Sequence, residues 1–249
     1  MNSAQITTAL IPAAGQGRRM QHHTSHKPKC LVDVNDKPLL AHTIDALENS
    51  GFQRLVIITG YQHQKIDKFI EQYETSLEIK TVYNDRYASS NNIYTLWFAG
   101  DLIDEPLTLI ESDLIFEPEA ISIMSHPDQI ALDRFDPCIH NGTTANITSD
   151  GHLESLNLSG THDTSESLYK TVNMYSFSQP TWKAVKQAIE SRLDDGHTQA
   201  FYELAIRDLI LAGNIQLKIA DFSGLWWDEI DSVEDLARVN QQLASVPFL

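Results

Sequence analysis

An α/β fold, with a mostly parallel sheet and helices on both faces, is what this 249-residue sequence predicts. Three observations carry it. Short apolar runs alternate with amphipathic stretches through the first half of the chain, the first run ends in a Gly-x-Gly loop, and a later run, Leu107-Thr108-Leu109-Ile110, stops at the acids Glu111 and Asp113. Ligands of such sheets gather at the carboxyl ends of the strands. Both the glycines and the acids stand at such ends.

The elements follow in order. Ile6 to Pro12 reads as the first strand. After Pro38, the residues Leu39, Leu40, Ile44 and Leu47 recur at helical spacing and Gly51 closes the pattern, which predicts a helix over 38–50. Leu55 to Gly60 is a continuous apolar run ended by glycine, as a buried parallel strand requires. Gln64 to Tyr73 gives a second helix and Leu77 to Tyr83 a third strand. The next stretch is polar from Asn84 and then helical to about Asp101, with Ser90 or Asn91 as its cap. The fourth strand covers 107–113 and a short helix 118–125. From Gln129 the texture changes to short alternating strands over 129–135, 144–148, 153–158 and 169–177, with hairpin signals at Asn141-Gly142 and Asp150-Gly151. These predict a small antiparallel insert lying over the open edge of the first sheet. Helices over 181–193 and 199–211, a strand over 215–222 and a helix from the capping-box spacing Ser232-Val233-Glu234-Asp235 to Leu243 complete the chain.

Composition narrows the function. With 34 acidic against 18 basic side chains the formal charge is −16, which excludes a general attraction to nucleic acid. No apolar run reaches the roughly 18 residues of a membrane span, and no basic leader opens the sequence, so a cytoplasmic protein without a membrane partner is expected. Cys30 and Cys138 lack the neighbours of a zinc site or redox pair and are expected to be buried.

Against that acidic background Arg18, Arg19, Lys27 and Lys29 follow the glycine loop within a dozen residues. Ala13 and Ala14 let a flat ring approach the backbone, and Gly15 and Gly17 permit positive φ and close phosphate approach. The phosphate loop of the common nucleotide triphosphatases needs a Gly-Lys-Ser/Thr ending that is missing, and the dinucleotide fingerprint needs a third small residue where Met20 stands. What remains is a loop for a polyphosphate. His22, His23 and His26 lie on it, either beside the phosphates or in solvent. Asn91 and Asn92 exceed what capping needs and offer donors and acceptors to a nucleobase. Asp113, at the end of a buried strand, is costly there unless it meets a cation or capping donors. Glu229 and Asp231, two apart before a helix already capped by Ser232, are either solvated or free for metal. Magnesium, which takes few carboxylates and several phosphate oxygens, suits Asp113 with Asp231.

Together, Ala13-Ala14-Gly15-x-Gly17-x-Arg19-Met20, Pro28-Lys29-x-Leu31, Asn84-Asp85-x-Tyr87, Asn91-Asn92-x-Tyr94-x-Leu96, Ser112-Asp113 and Glu229-Ile230-Asp231 resemble the sugar-phosphate nucleotidyltransferase superfamily. Within it the chain is similar to the small cytidylyltransferases of phosphocholine and 2-aminoethylphosphonate, over about residues 5 to 240. Arg18 departs from the Ser or Thr usual there. The resemblance implies a single domain, a three-layer α/β/α sandwich of the glycosyltransferase-A type with a small antiparallel acceptor-side insert. Residues 1–128 would mainly hold the nucleotide and 129–249 the acceptor. It implies transfer of CMP from CTP, with Mg2+ as cofactor. Lys29 matches the lysine on the α-phosphate and Arg19 the arginine on the leaving phosphates. Ala13, Ala14, Gly15, Gly17, Arg18, Asn84, Ser90, Asn91, Asn92 and Ser112 are the expected nucleotide-binding residues, and Asp113 and Asp231 the expected metal ligands.

For the acceptor, an ammonium calls for aromatic faces and a carboxylate, which Tyr94, Trp226, Trp227, Asp133 and Glu111 supply unless the aromatics are core. Glu229 would orient metal-bound water or the acceptor. Asp133-Arg134-Phe135 and Tyr169-Lys170-Thr171-Val172-Asn173 resemble the acceptor half of cytidylyltransferases of phosphonate pathways, which sets Lys170 on the acceptor's phosphonate or phosphate; a surface lysine is the alternative. The acceptors stand in the order 2-aminoethylphosphonate, phosphocholine, inositol phosphate and sugar 1-phosphates. A nucleotide-sugar-dependent glycosyltransferase on the same fold stays open, as does a homo-oligomer.

Overall fold

Strand β1 (Thr8–Ala13) sends its side chains alternately into two apolar cores, and that division organises the molecule. A computed structural model describes residues 5–136, 140, 142–158 and 169–245. Ile11 joins the core under α1 (Leu39–Asn49), α2 (His63–Gln72) and α4 (Glu119–Ile123). Leu10 joins the core on the opposite face, under α3 (Asn92–Trp97), α5 (Gln179–Asp194) and α6 (Glu203–Leu211). Val56 and Ile57 of β4 (Arg54–Thr59) divide in the same way, so helices cover both faces. Each fully buried Leu, Ile or Val contributes on the order of 2 kcal/mol. A core of this extent tolerates the crowding of like charges described below.

Strand β1 lies parallel between β4 and β6 (Leu107–Ile110), and β5 (Glu78–Tyr83) extends the sheet beyond β4. The expected antiparallel insert stands at the open edge of this sheet, but it continues the sheet by pairing with it rather than lying over it. Strand β11 (Tyr169–Phe177) pairs antiparallel with β6, Met174 opposite Ile110 and Phe177 opposite Leu107. Pairing there satisfies backbone groups that an open edge would leave bare. The other strands follow β11: β8 (Gln129–Arg134) on its far side with β12 (Lys218–Asp221) parallel beyond, and the hairpin β9 (Thr144–Ile147) and β10 (Leu153–Asn157) against its first residues. Nine strands form this sheet among the described residues. The Asp150-Gly151 turn joins β9 and β10, Gly151 at φ 80°. Asn141 and Cys138 lie outside the described residues.

The predicted helix to Asp101 ends at Trp97 and passes into turns. The helix expected from 199 starts at Glu203, because Asn92 Oδ1 takes the Tyr202 amide at 3.0 Å before the helix begins. The strand expected over 107–113 is interrupted after Ile110. Leu114–Phe116 (β7) then pairs antiparallel with Trp227–Glu229 (β13) in a separate ribbon, Glu229 opposite Leu114. Two residues, Asp33–Val34 (β2), pair with Lys37–Pro38 (β3) beside it. The last helix, α7 (Val233–Ser245), is capped as predicted, with Ser232 Oγ accepting from Asp235 N at 3.2 Å and Asp235 Oδ2 accepting from Ser232 N at 2.9 Å. Its Leu236 and Val239 pack with Met20, Val32 and Ile230. Helix α7 is thereby held against the segment that follows the glycine loop.

Candidate active site

The glycine loop leaves β1 at the carboxyl edge of the sheet. Gly17 has φ 58°, and a Cβ there would stand 3.1 Å from the Lys29 Cβ and 3.2 Å from Thr24 Cγ2. A side chain is therefore unfavourable on two counts. A Cβ at Gly15 would meet no protein atom within 4 Å. The loop turns into a 3-10 segment over Arg18–His23, and a second one at Lys29–Leu31 brings Lys29 back under it.

The Lys29 ammonium donates to Asp113 Oδ2 and to Asp231 Oδ1, each at 2.6 Å. Arg19 Nη2 lies 2.8 Å from the same Asp231 oxygen. The β7–β13 ribbon makes this meeting possible: Ile230 N donates to Asp113 O at 2.9 Å, which locks the two acid-bearing segments side by side. Burial works against the Lys29 charge, but Asp113 and Asp231 outweigh it and hold its pKa above the ordinary amine value. The neighbouring Cys30 thiol is pushed up to about 12 by burial, so it is a packing residue rather than a nucleophile.

Two cavities meet at Asp231. The first, about 400 Å³, is lined by the expected Ala13, Ala14, Gly15, Gly17, Arg18, Arg19, Lys29, Ser90, Asn91, Asn92, Ser112 and Asp113, by Tyr87, which the resemblance included without a role, and by Thr95, which the sequence reading did not single out. Asn84 is not on its wall. It is fully buried, donates to Thr95 Oγ1 at 3.1 Å and caps the Arg86 amide at 2.9 Å, so it shapes the turn behind the wall. Asn91 caps α3 through the Asn92 amide at 2.8 Å, and Asn92 donates to Glu203 Oε2 at 3.4 Å. His22, His23 and His26 do not line this cavity.

The second cavity, about 640 Å³, is lined by Asp133, Lys170, Trp227 and Glu229, with Arg134, His140, Asp228 and Arg238. Lys170 is no surface lysine. It is 2% exposed, donates to Thr171 O at 2.6 Å, lies 3.4 Å from Glu229 Oε2 and sits 5.8 Å from the Trp227 ring centre. Asn173 interrupts β11 with φ 57° and donates its side-chain amide to Glu229 Oε1. A polar residue of low strand propensity between Val172 and Met174 was the available signal for that bulge. Burial raises the Glu229 pKa to about 7, opposed by Lys170 and reinforced by Asp113 and Asp231. Trp227 Nε1 donates to Asp133 Oδ2 at 2.8 Å, and His140 stacks on the indole with centres 5.9 Å apart.

The five residues read as an ammonium box are not brought together. Trp226, Trp227 and Asp133 line the second cavity, Glu111 lines the first, and Tyr94 lines neither. The Tyr94 ring packs at 5.4 Å on Trp97 and 5.6 Å on Phe98, with the Arg86 guanidinium 5.5 Å from its centre.

Chemically, the first cavity joins a glycine loop, two arginines and a lysine to a pair of convergent carboxylates. The carboxylates already meet on one cation, the Lys29 ammonium, and their hard oxygens suit a divalent ion that completes its shell with phosphate oxygens.

Residues 9–114 match the MobA-like NTP transferase domain. A 2-aminoethylphosphonate cytidylyltransferase of Lancefieldella rimae is 28% identical over 239 residues, covering 95% of this chain and 93% of the relative. A CMP-5'-(3-aminopropyl)phosphonate synthase of Streptomyces rubellomurinus is 27% identical over 237 residues, 91% of this chain, but the match spans only 37% of that protein. The solved structure of a CTP:phosphocholine cytidylyltransferase from Streptococcus pneumoniae superimposes with a TM-score of 0.80 at 23% identity, covering 96% of this chain and all of the other. The mostly parallel sandwich is therefore a nucleotidyltransferase fold.

Proposed function

We propose that this chain, which carries the MobA-like NTP transferase domain, moves CMP from CTP to a small aminoalkyl phosphonate or phosphate and releases pyrophosphate. The observation that carries the reading is the Lys29 ammonium, 2.6 Å from both Asp113 and Asp231 where the two cavities join. CTP occupies the first cavity and the acceptor the second, so residues 1–128 mainly serve the nucleotide and 129–249 the acceptor within one domain. An oxygen of the acceptor's phosphonate attacks the α-phosphorus. The new P–O bond forms as the bond between the α-phosphorus and the bridging oxygen breaks, and pyrophosphate leaves with that electron pair.

An acceptor that is already ionised needs no general base. Catalysis then consists of positioning and of cationic groups aimed at the developing charge. Lys29 neutralises the α-phosphate, while Arg19, whose planar fork suits bidentate contact, and Arg18 hold the leaving phosphates. Gly15 leaves room for the nucleotide against the backbone. Lys170, buried beside Glu229, faces the acceptor's phosphonate. Mg2+ would be held by Asp113 and Asp231, where it would neutralise triphosphate charge. The acidic cytidylyltransferase so described works in the cytoplasm, and 2-aminoethylphosphonate is the leading acceptor, ahead of phosphocholine. Support for this order comes from relatives named for aminoalkylphosphonate substrates.

The test is pyrophosphate release with CTP, UTP, ATP and GTP, each crossed with 2-aminoethylphosphonate, phosphocholine, phosphoethanolamine, inositol phosphate and glucose 1-phosphate. Release with CTP and an aminoalkyl acceptor is expected. Turnover confined to UTP and a sugar phosphate would reject the subgroup, and transfer from a nucleotide sugar without pyrophosphate would reject nucleotidyl transfer itself.

A further inference from the structure

One residue outside both cavities is bonded to the wall of each. Asn173 lines neither, yet its backbone carbonyl accepts from the Glu111 amide at 3.3 Å and its side-chain amide donates to Glu229 Oε1. Glu111 lines the first cavity just ahead of Asp113, and Glu229 lines the second. Asn173 sits where β11 changes partners. Tyr169 and Lys170 pair with β9, Met174 to Phe177 pair with β6, and the register against β8 shifts between Thr171 and Tyr175. With φ 57° in that break, the position admits asparagine or glycine more readily than other residues. Glycine would serve the backbone equally, so it is the amide that needs a reason. The Thr171 hydroxyl donates to Asn173 Oδ1 at 2.9 Å, which leaves Nδ2 facing the carboxyl of Glu229. That carboxyl is divided between two donors: Oε1 takes the Asn173 amide, and Oε2 lies 3.4 Å from the Lys170 ammonium. Lys170 also donates to Thr171 O at 2.6 Å. An ammonium carries three N–H donors, so two are engaged and one remains for a ligand of the second cavity. Without the amide, the Glu229 carboxyl would be free to turn and draw on Lys170 with both oxygens.

Resting on the reading above, we propose that Asn173 is a positioning residue for the acceptor, acting through Glu229 and Lys170. Its amide holds one oxygen of Glu229 so that only the other meets Lys170, and the remaining N–H of that ammonium serves the acceptor's phosphonate or phosphate. Its carbonyl ties the same point to the segment that leads into Asp113. The acceptor's anion and the α-phosphorus are thereby kept in one frame. Attack along the line of the breaking bond depends on such spacing, since a misplacement of about 1 Å costs on the order of 100-fold in rate.

The experiment is steady-state pyrophosphate release by the full chain with magnesium. First 2-aminoethylphosphonate or phosphocholine is varied at saturating CTP, then CTP at saturating acceptor. Asn173→Gly keeps the left-handed backbone and the carbonyl to Glu111 and deletes only the amide, so it should melt like the wild type. Its KM for the acceptor should rise roughly 10-fold, as loss of one hydrogen bond to a charged group predicts, while its KM for CTP stays unchanged. Asn173→Asp keeps the size but sets a carboxylate against Glu229; it should show the same split, and it stands in if the glycine variant does not fold. In a Glu229→Ala background, Asn173→Gly should add less than about twofold, because the two residues act in one chain of contacts. An acceptor KM unchanged in both variants, a rise shared equally by CTP, a full 10-fold addition without Glu229, or failure of both variants to melt cooperatively overturns the positioning role. Absence of release by the wild-type chain with either acceptor would overturn the transfer reading itself, and the proposal with it.

Discussion

Lys29 and Asp231 stand 202 residues apart in the chain and 2.6 Å apart in space. The β7–β13 ribbon, with α7 packed on Met20 and Val32 behind it, holds Asp231 beside Lys29, so the pairing depends on late elements docking on the first loop. The same contact makes Lys29 a structural counter-charge as well as a proposed catalytic group. Lys29→Ala should therefore lose about 100- to 1,000-fold in turnover, the usual cost of removing such a charge. It should also lose on the order of 1–3 kcal/mol in urea denaturation without metal, below the value for a fully buried pair because both carboxylates are partly exposed. Magnesium should restore part of that stability. Normal turnover in a folded, CTP-saturated sample would remove Lys29 from the mechanism.

Asp113 and Asp231 share one cationic partner, and each should be separately necessary for metal. Asp113→Asn and Asp231→Asn are expected to shift the magnesium titration of pyrophosphate release at least about tenfold to higher concentration, as expected when one of two carboxylates is lost from a hard-cation site. Titrations that superimpose on the wild type for both variants would overturn the assignment.

The two loop glycines should separate by assay. Gly17→Ala puts a Cβ at φ 58° and 3.1 Å from the Lys29 side chain, so it should lower the stability by roughly 1–2 kcal/mol and reduce turnover through Lys29. Gly15→Ala, whose Cβ meets no protein atom, should melt like the wild type and raise the KM for CTP. An unchanged KM for CTP in Gly15→Ala would place the nucleotide elsewhere.

Glu229 supplies a pH dependence that can be measured without turnover. Burial holds its pKa near 7 against an ordinary 4.5, so the folded chain favours the neutral acid. The stability this provides is fully present below about pH 4.5 and is lost as pH rises through 7. In EDTA, wild-type stability measured relative to Glu229→Gln should fall across that window, by on the order of 3 kcal/mol for a shift of this size. A difference between the two that is constant from pH 4.5 to 7.5 would show that the carboxyl does not titrate in that environment.

Much of the fold was legible because it rests on local periodicity. The apolar runs of β1, β4 and β6 are too short for helices and are bounded by breakers or acids, and the spacing of Leu39, Leu40, Ile44 and Leu47 fits one face of a helix. Legible too were the capping exchange between Ser232 and Asp235 and the glycine that the αL position at residue 17 needs. That the antiparallel strands gather at the sheet's open edge was legible, but the pairing of β11 with β6 was not, since a strand's pattern records which face is buried and not which neighbour it pairs with.

The proposed site divides along the same line. Its residue types were set by the sequence: glycines where a backbone must be approached, cations after them, and carboxylates at strand ends. Tertiary structure alone decided the groupings. It buried Lys170 against Glu229, used Asn84 to hold a turn, turned Tyr94 onto its own helix, and set Glu111 in the first cavity, apart from Trp227 in the second. Charge and hydrogen-bonding capacity belong to a residue wherever it stands, whereas distance and desolvation arise only when segments far apart in the chain pack against one another.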